Sequence, residues 1–213
     1  MSESSEIVAA DGVTLEAELA KPDGVVRAGA VLCHPHPLYG GTMRSIVIGA
    51  LFDALPRRGV ECLRFNFRGV GRSGGEHDAG RAEQLDARAA VAALAAALPT
   101  PVPLVLVGWS FGADVALSVR DERIGAWLAI APPLRFATDL DALSTDPRPK
   151  LLALAQHDEF RDPASVVEDT DRWTATEVEV VGGASHFFVG RTDRLVELAA
   201  AYVDRIVSAT PSR

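Results

Sequence analysis

The feature that most constrains this chain is a short apolar run followed by Gly-Trp-Ser-Phe-Gly. Residues 104–107 have the length and β-branched content of a buried parallel strand, and residues 113–119 have the apolar character of a buried helix. A strand, a G-x-S-x-G pentapeptide and a helix in this order predict a nucleophile elbow, a strained turn that presents a serine hydroxyl above the sheet. Gly108 and Gly112 fit a place where strand and helix pass too close for a Cβ atom. The alternative is an ordinary turn in which Ser110 only caps the helix.

Strand and helix patterns alternate along the rest of the chain. After an opening hairpin (residues 7–9 and 14–20), we predict strands at 28–33, 61–67, 124–131, 151–155 and 177–181, and helices at 46–55, 82–98, 163–173 and 193–207. The helix at 82–98 is expected to stop at Pro99. This alternation predicts an α/β fold in one domain spanning residues 1–213, with a mostly parallel sheet covered on both faces. Such sheets bind ligands beyond the carboxyl ends of their strands.

Composition and charge limit the partners and the cellular location that we expect for this chain. The 213 residues carry a formal net charge of −8, which disfavours nucleic acid or an anionic membrane as the main partner. No apolar stretch approaches the roughly 18 residues that a membrane span needs, and the acidic opening MSESSEIVAADG lacks the apolar core of a signal peptide. We therefore expect a cytoplasmic protein. Cys33 and Cys62 lie in apolar strand patterns and are expected to be buried free thiols.

A catalytic serine needs partners, because its hydroxyl is a weak nucleophile at neutral pH. His186 follows the last predicted strand and Asp158 follows the strand before it, so both are expected at the same sheet edge as Ser110. We predict Ser110 as nucleophile, His186 as general base and Asp158 as the acid that orients the base. Glu159 is the rival acid. The simpler interpretations are a helix-capping or surface carboxylate for Asp158 and a loop histidine bonded to backbone for His186.

Four motifs together make the chain resemble the α/β-hydrolase superfamily over nearly its whole length. They are HPHPLYGG at 34–41, NFRGVGRS at 66–73, GWSFG at 108–112 and HFF at 186–188. More narrowly, the chain is similar to short, lidless bacterial hydrolases related to dienelactone hydrolases. The resemblance implies the α/β-hydrolase fold without a large lid, the order Ser…Asp…His along the chain and the acid at Asp158. Dienelactone hydrolases proper use a cysteine where this chain has Ser110, so the resemblance does not imply a dienelactone substrate.

An oxyanion that forms on the substrate needs two hydrogen-bond donors. The first is expected to be the N–H of Phe111, which is free at the start of the helix. The second is expected from the loop after the first buried strand. Pro35 and Pro37 have no N–H, so His36 is the only main-chain donor at the centre of that loop. The resemblance also implies this role for His36.

Two further patterns suggest ligands, and we predict neither a metal nor a cofactor from them. His34, His36 and His157 are candidate metal ligands, but no third ligand has convincing spacing, and His34 is expected to hold its loop instead. Residues 69–74 match G-x-G-x-x-G, but helix-breaking glycines follow and no acid ends a strand about 20 residues on. The resemblance implies a structural loop there.

Arg68 and Arg72 lie in the same glycine-rich loop. Either guanidinium could hold a substrate carboxylate. A surface salt bridge is the favoured role for both.

Motifs and resemblance together predict a serine hydrolase that cleaves small carboxylic esters or thioesters through an acyl-enzyme. The alternatives are a catalytically silent domain that acts as a binding module, and a peptidase or amidase with the same triad. The connection at 132–149 is too short for a lid, so we expect a shallow site and short acyl groups. The expected partner is a small-molecule ester, and the expected assembly is a monomer or homodimer. Trp109 and Phe111 are expected in the core. The candidates for the substrate pocket are the other apolar residues near the triad: Leu38, Tyr39, Leu134, Phe136, Phe160 and Phe187.

Overall fold

The computed structural model describes residues 2–98 and 102–210, which form one eight-stranded sheet and six α-helices. The strands are β1 (Ser2–Val8), β2 (Thr14–Ala20), β3 (Ala28–Cys33), β4 (Val60–Phe65), β5 (Leu104–Trp109), β6 (Ala126–Ile130), β7 (Lys150–His157) and β8 (Thr176–Ser185). The helices are α1 (Ile46–Ala54), α2 (Glu83–Ala97), α3 (Phe111–Ser118), α4 (Leu140–Ser144), α5 (Pro163–Thr170) and α6 (Thr192–Ala209). Pro99, the predicted stop of the second helix, lies outside the described residues.

The sheet has the order β1-β2-β4-β3-β5-β6-β7-β8. The β1–β2 and β2–β4 pairs are antiparallel, and the pairs from β4 to β8 are parallel. The predicted mostly parallel sheet is therefore confirmed. β5 lies at its centre between β3 and β6, which places Ser110 at the carboxyl end of a central strand.

Helices cover both faces of the sheet, as expected. The α1 and α6 helices pack on one face, where Val105 and Val107 of β5 point. The α2, α3 and α5 helices pack on the other face, where Leu104 and Leu106 point. Successive side chains of β5 point to opposite faces of the sheet, and both faces are buried. The strand is therefore an unbroken apolar run in the sequence.

The two edge strands are longer than the sequence patterns indicate. β1 begins at Ser2 rather than at residue 7, because main-chain pairing with β2 continues from Val8 back to Ser2. Residues 2–6 are all exposed, so no hydrophobic alternation marks them, and charged side chains at an edge oppose pairing with another chain. β8 extends to Ser185 and pairs with His157 across a register shift in β7. This pairing brings the segment after β8 beside the segment after β7.

The connection between β6 and β7 contains only the five-residue helix α4. This connection is as short as the sequence indicates, and the described residues include no large lid over the sheet. Cys33 and Cys62 are buried free thiols, as predicted. Within the described residues, no helix is both long and apolar enough to cross a membrane.

Candidate active site

The turn between β5 and α3 has the geometry that the pentapeptide predicts. Ser110 has φ 55° and ψ −123°, a conformation that is costly for a residue with a side chain. A Cβ atom on Gly108 would lie 2.1 Å from the carbonyl oxygen of Gly112, and one on Gly112 would lie 2.3 Å from the carbonyl oxygen of Cys33. Both glycines are therefore required by close backbone approach. Trp109, which precedes the serine, is buried as expected.

A chain of hydrogen bonds joins the three residues that the sequence singled out. Ser110 Oγ lies 2.8 Å from His186 Nε2, and His186 Nδ1 lies 2.8 Å from Asp158 Oδ2. The other carboxylate oxygen of Asp158 accepts the N–H groups of Phe160 and Arg161 at 2.9 and 3.1 Å. An ionised Asp158 accepts the Nδ1–H of His186, so Nε2 presents a lone pair to the serine hydroxyl.

The ionisation of Asp158 follows from its surroundings. Burial works against the charged form, but hydrogen bonds from the His186 ring and from the N–H groups of Phe160 and Arg161 hold the pKa of Asp158 below its ordinary value. The carboxylate is therefore charged at neutral pH. A charged acceptor keeps the proton of the imidazole on Nδ1 and the ring in one orientation.

The main chain of His186 is held separately from its ring. Its N–H donates to Glu159 Oε2 at 3.0 Å, and its carbonyl accepts the indole N–H of Trp109 at 3.1 Å. Glu159 thus contacts the backbone of the loop, whereas Asp158 contacts the imidazole. The two adjacent carboxylates, which the sequence left as rivals, occupy different positions.

The loop after β3 is held by a buried histidine. His34 lies 2.6 Å through Nδ1 from the carbonyl oxygen of Pro35, and its Nε2 accepts the N–H of Phe67 at 3.0 Å. Burial lowers the pKa of His34 to about 4, so the ring is neutral at pH 7 and both nitrogens are engaged. The expectation that His34 holds the loop is confirmed. Within the described residues, no group of three or more potential ligands is arranged to hold a metal ion.

The two expected oxyanion donors lie on adjoining segments. The start of α3 touches the loop at Gly112, and the rings of His36 and Phe111 are 4.8 Å apart. Neither the N–H of His36 nor that of Phe111 has a protein acceptor within the part of the chain that the structure describes. The lack of a protein acceptor is what the predicted oxyanion role of both groups requires.

Comparison with known proteins identifies the family. The α/β-hydrolase family model matches residues 30–211 of this chain. The chain belongs to the α/β-hydrolase family. A serine hydrolase homologue from Coxiella burnetii has a similar structure, with 32% identity, a TM-score of 0.85 and coverage of 94% of this chain and 96% of that one. The predicted superfamily, fold class and hydrolase enzyme class are confirmed by these matches.

Two further relatives cover almost the whole hydrolase. A serine hydrolase without a lid from Xanthomonas campestris is 30% identical, with a TM-score of 0.83 and coverage of 99% of this chain and 97% of that one. An uncharacterised protein of Rickettsia prowazekii (strain Madrid E) is 30% identical over 204 residues, which are 91% of this chain and 86% of that protein. The similarity therefore extends well beyond the serine motif.

Aromatic rings form two groups, one around His36 of the predicted oxyanion loop and one around His186 of the predicted triad. Around His36, the rings of Tyr39, His77, Phe111 and Phe136 lie 4.7 to 5.2 Å away between ring centres. Around His186, Phe160 lies at 4.6 Å and Phe187 at 5.6 Å. We call these the oxyanion-side rings and the base-side rings.

Two of the predicted pocket residues lie outside these ring groups. Leu38 follows His36 in the loop and is exposed. Leu134 packs against the core beside α3 and lines a separate hollow with Leu140, Ser144 and Trp173, among others. None of the residues lining that hollow belongs to the triad or to the loop after β3.

Two buried carboxylates of the hydrolase hold segments that lie close to the rings around His36. The sequence patterns did not single them out. Asp114 accepts the N–H groups of Leu134, Arg135 and Phe136 at 2.8 to 2.9 Å, which fixes the segment that carries Phe136 onto α3. Burial raises the pKa of Asp114 to about 6, although these donors oppose the rise. A lone acid inside the apolar pattern of α3 was the available signal.

Glu83 is the second buried carboxylate. It accepts the N–H groups of Asp78 and Gly80 at 2.8 and 2.9 Å. The ring of His77 lies next to that of His36, and its Nδ1 is 2.6 Å from Glu83 Oε1. The angle between the two groups is not that of a hydrogen bond, and Nδ1 has no other acceptor among the described residues. Nothing in the sequence near His77 marks this contact.

The expected role of Arg68 is wrong, and that of Arg72 is confirmed. Arg68 is buried, with its guanidinium 2.7 Å from Asp86 and 2.9 Å from Asp11, so it forms an internal ion pair rather than a surface one. Asp86 reaches it from α2, a contact that only the tertiary structure creates. Arg72 is exposed and lies 3.2 Å from Glu16, as expected of a surface salt bridge.

Proposed function

We propose that this α/β-hydrolase is a serine esterase that cleaves small carboxylic esters or thioesters through an acyl-enzyme. The observation that carries the proposal is the unbroken hydrogen-bonded chain from Ser110 Oγ through the His186 ring to Asp158, with both distances at 2.8 Å. A binding module has no need of a strained serine whose hydroxyl faces the lone pair of an oriented imidazole.

In this proposal each residue has one chemical task. Ser110 Oγ attacks the carbonyl carbon while its proton passes to His186 Nε2, and the carbonyl oxygen becomes an oxyanion that the N–H groups of Phe111 and His36 stabilise. A donor of this kind contributes roughly 3–4 kcal/mol to transition-state stabilisation. The bond to the leaving oxygen or sulfur then breaks, and His186 Nε2 returns the proton to it. Water repeats the sequence on the acyl-enzyme.

Asp158 and Glu159 offer a matched pair of substitutions that tests the assignment of the acid. We expect Asp158→Asn to lower kcat by about 10⁴, because an amide favours the wrong imidazole tautomer. Glu159→Gln keeps an oxygen that can accept the N–H of His186, and we expect a loss of about tenfold or less. Both variants are measured with p-nitrophenyl acetate. A greater loss in Glu159→Gln than in Asp158→Asn would transfer the acid role to Glu159.

The acyl group of the substrate is expected to be short. With only α4 between β6 and β7, and with Tyr39 86% exposed at the rim, little apolar wall is available to bury a long chain at about 0.8 kcal/mol per CH₂. In a series of p-nitrophenyl esters, kcat/KM should be highest for acyl groups of about two to six carbons. A value that keeps climbing from butyrate to palmitate would contradict the short-acyl preference.

The same series, extended to thioesters, p-nitroanilides and peptides, tests the proposed function as a whole. Failure to hydrolyse any ester or thioester would overturn the esterase proposal. Hydrolysis of p-nitroanilides or peptides alone would indicate an amidase with the same triad.

A further inference from the structure

We propose that Phe160 and Phe187 form the leaving-group subsite, and that the enzyme selects esters that join a short acyl group to an aromatic or other bulky, neutral, apolar alcohol. The inference rests on the proposed function, since it assumes that Ser110 attacks an ester. It adds the side of the ester on which the bulk of the substrate lies.

The stereochemistry of the reaction separates the two sides of the ester. The leaving oxygen has to receive a proton from His186 Nε2, so it departs beside the imidazole. The carbonyl oxygen faces the N–H groups of Phe111 and His36. The acyl substituent takes the remaining direction, away from His186. Residues that pack around the imidazole therefore adjoin the alcohol rather than the acid.

The base-side rings are in contact with the imidazole and still available to a ligand. Phe160 and Phe187 lie 4.6 and 5.6 Å from the His186 ring, and 5.9 Å from each other at 82° between their planes. They are nevertheless 59% and 48% exposed. Free aromatic surface beside a reacting centre is suited to an aromatic ring, because edge-to-face pairs of rings are favourable at such distances.

Both phenylalanines are held by the elements that hold the base. The N–H of Phe160 donates to Asp158 Oδ1 at 2.9 Å. Phe187 packs edge-on against Trp109 with ring centres 6.4 Å apart, and the same indole donates to the carbonyl of His186. The two rings are thus positioned before a substrate arrives. The charges of Asp158 and Glu159 nearby favour a neutral alcohol over an anionic one.

The oxyanion-side rings pack around His36 rather than on the imidazole of His186. The ring of His36 is already contacted by four other rings at 4.7 to 5.2 Å, and one of them, Phe111, is fully buried. Free aromatic surface in direct contact with the imidazole therefore lies at Phe160 and Phe187, on the side from which the alcohol departs.

Two isomeric esters test this assignment directly. Benzyl acetate and methyl phenylacetate contain the same atoms and release alcohols of similar acidity, but they carry the phenyl ring on opposite sides of the ester. We expect kcat/KM for benzyl acetate to exceed that for methyl phenylacetate by about ten- to a hundredfold, as burial of one ring allows. Equal values, a reversed preference, or no turnover of benzyl acetate by enzyme that hydrolyses p-nitrophenyl acetate would overturn the subsite.

Variants separate binding of the alcohol from positioning of His186. In Phe160→Ala and Phe187→Ala, the ratio of kcat/KM for benzyl acetate to that for methyl acetate should fall about tenfold. Val189→Ala, which removes another exposed apolar side chain of the same loop, should keep the wild-type ratio. If the phenylalanines only position the imidazole, both substrates lose equally, the ratio stays constant and the proposal fails.

The subsite and the esterase proposal fail in different ways. A Ser110-dependent enzyme that treats the two isomers alike retains the proposed function without the subsite. An enzyme whose ester hydrolysis does not depend on Ser110 loses the proposed function itself. Phe160→Leu and Phe187→Leu keep apolar bulk and serve as conservative variants. The thermal midpoints of the leucine and alanine variants are compared with that of the wild type to detect any loss of folding.

Discussion

Replacing Ser110 by alanine is expected to lower kcat for p-nitrophenyl acetate by several orders of magnitude, on the order of 10⁶. The substitution removes the hydroxyl oxygen that lies 2.8 Å from His186 Nε2, so the carbonyl is not attacked there and no acyl-enzyme forms. The rest of the site stays in place, because the turn is held by backbone contacts at Gly108 and Gly112. The thermal midpoint should therefore stay within a few degrees of wild type, about the effect of one hydrogen bond.

A fluorophosphonate label gives an independent measurement of the same prediction. Wild-type enzyme should retain the label covalently, and Ser110→Ala should not. Ser185→Ala serves as the matched control, since Ser185 adjoins His186 but lies outside the hydrogen-bonded triad, and it should keep both label and activity. A Ser110→Ala variant that retains more than about a tenth of the wild-type kcat would show that Ser110 is not the nucleophile.

Replacing His186 by alanine is expected to be nearly as damaging as removing the serine. Without the imidazole, nothing accepts the proton of Ser110 during attack or returns one to the leaving group. Because the two residues act as a unit, the double variant should be little less active than either single variant. The measurement is kcat for all three variants with one ester, with thermal midpoints to establish that each is folded.

A second histidine at the same edge of the sheet provides the control. His157, at the exposed end of β7, lies outside the triad, and His157→Ala should keep most of the wild-type kcat. Losses for Ser110→Ala and His186→Ala that multiply in the double variant would mean that His186 acts independently of the serine.

The sequence by itself determined the fold class and the local geometry of the elbow. The apolar run of β5 and the two glycines around Ser110 depend on neighbours along the chain: a strand buried on both faces has to be apolar throughout, and a Cβ at either glycine would clash with backbone. The role of His34 in holding its loop could likewise be predicted from the sequence, because a histidine between a buried strand and a proline-rich loop has few other roles. Local pattern was sufficient at these positions.

Only the tertiary structure decided the detailed contacts between distant residues. Pairing of Ser185 with His157 brings the segments of His186 and Asp158 together, and the different contacts of Asp158 and Glu159 follow from that register. The burial of Arg68 against Asp86 and the two groups of rings around the triad arise between elements far apart in the chain. Local propensities carry no information on such contacts, because packing and strand order are properties of the whole sheet. The exposed strand β1 shows the same limit, since its pairing depends on β2 rather than on any hydrophobic pattern of its own.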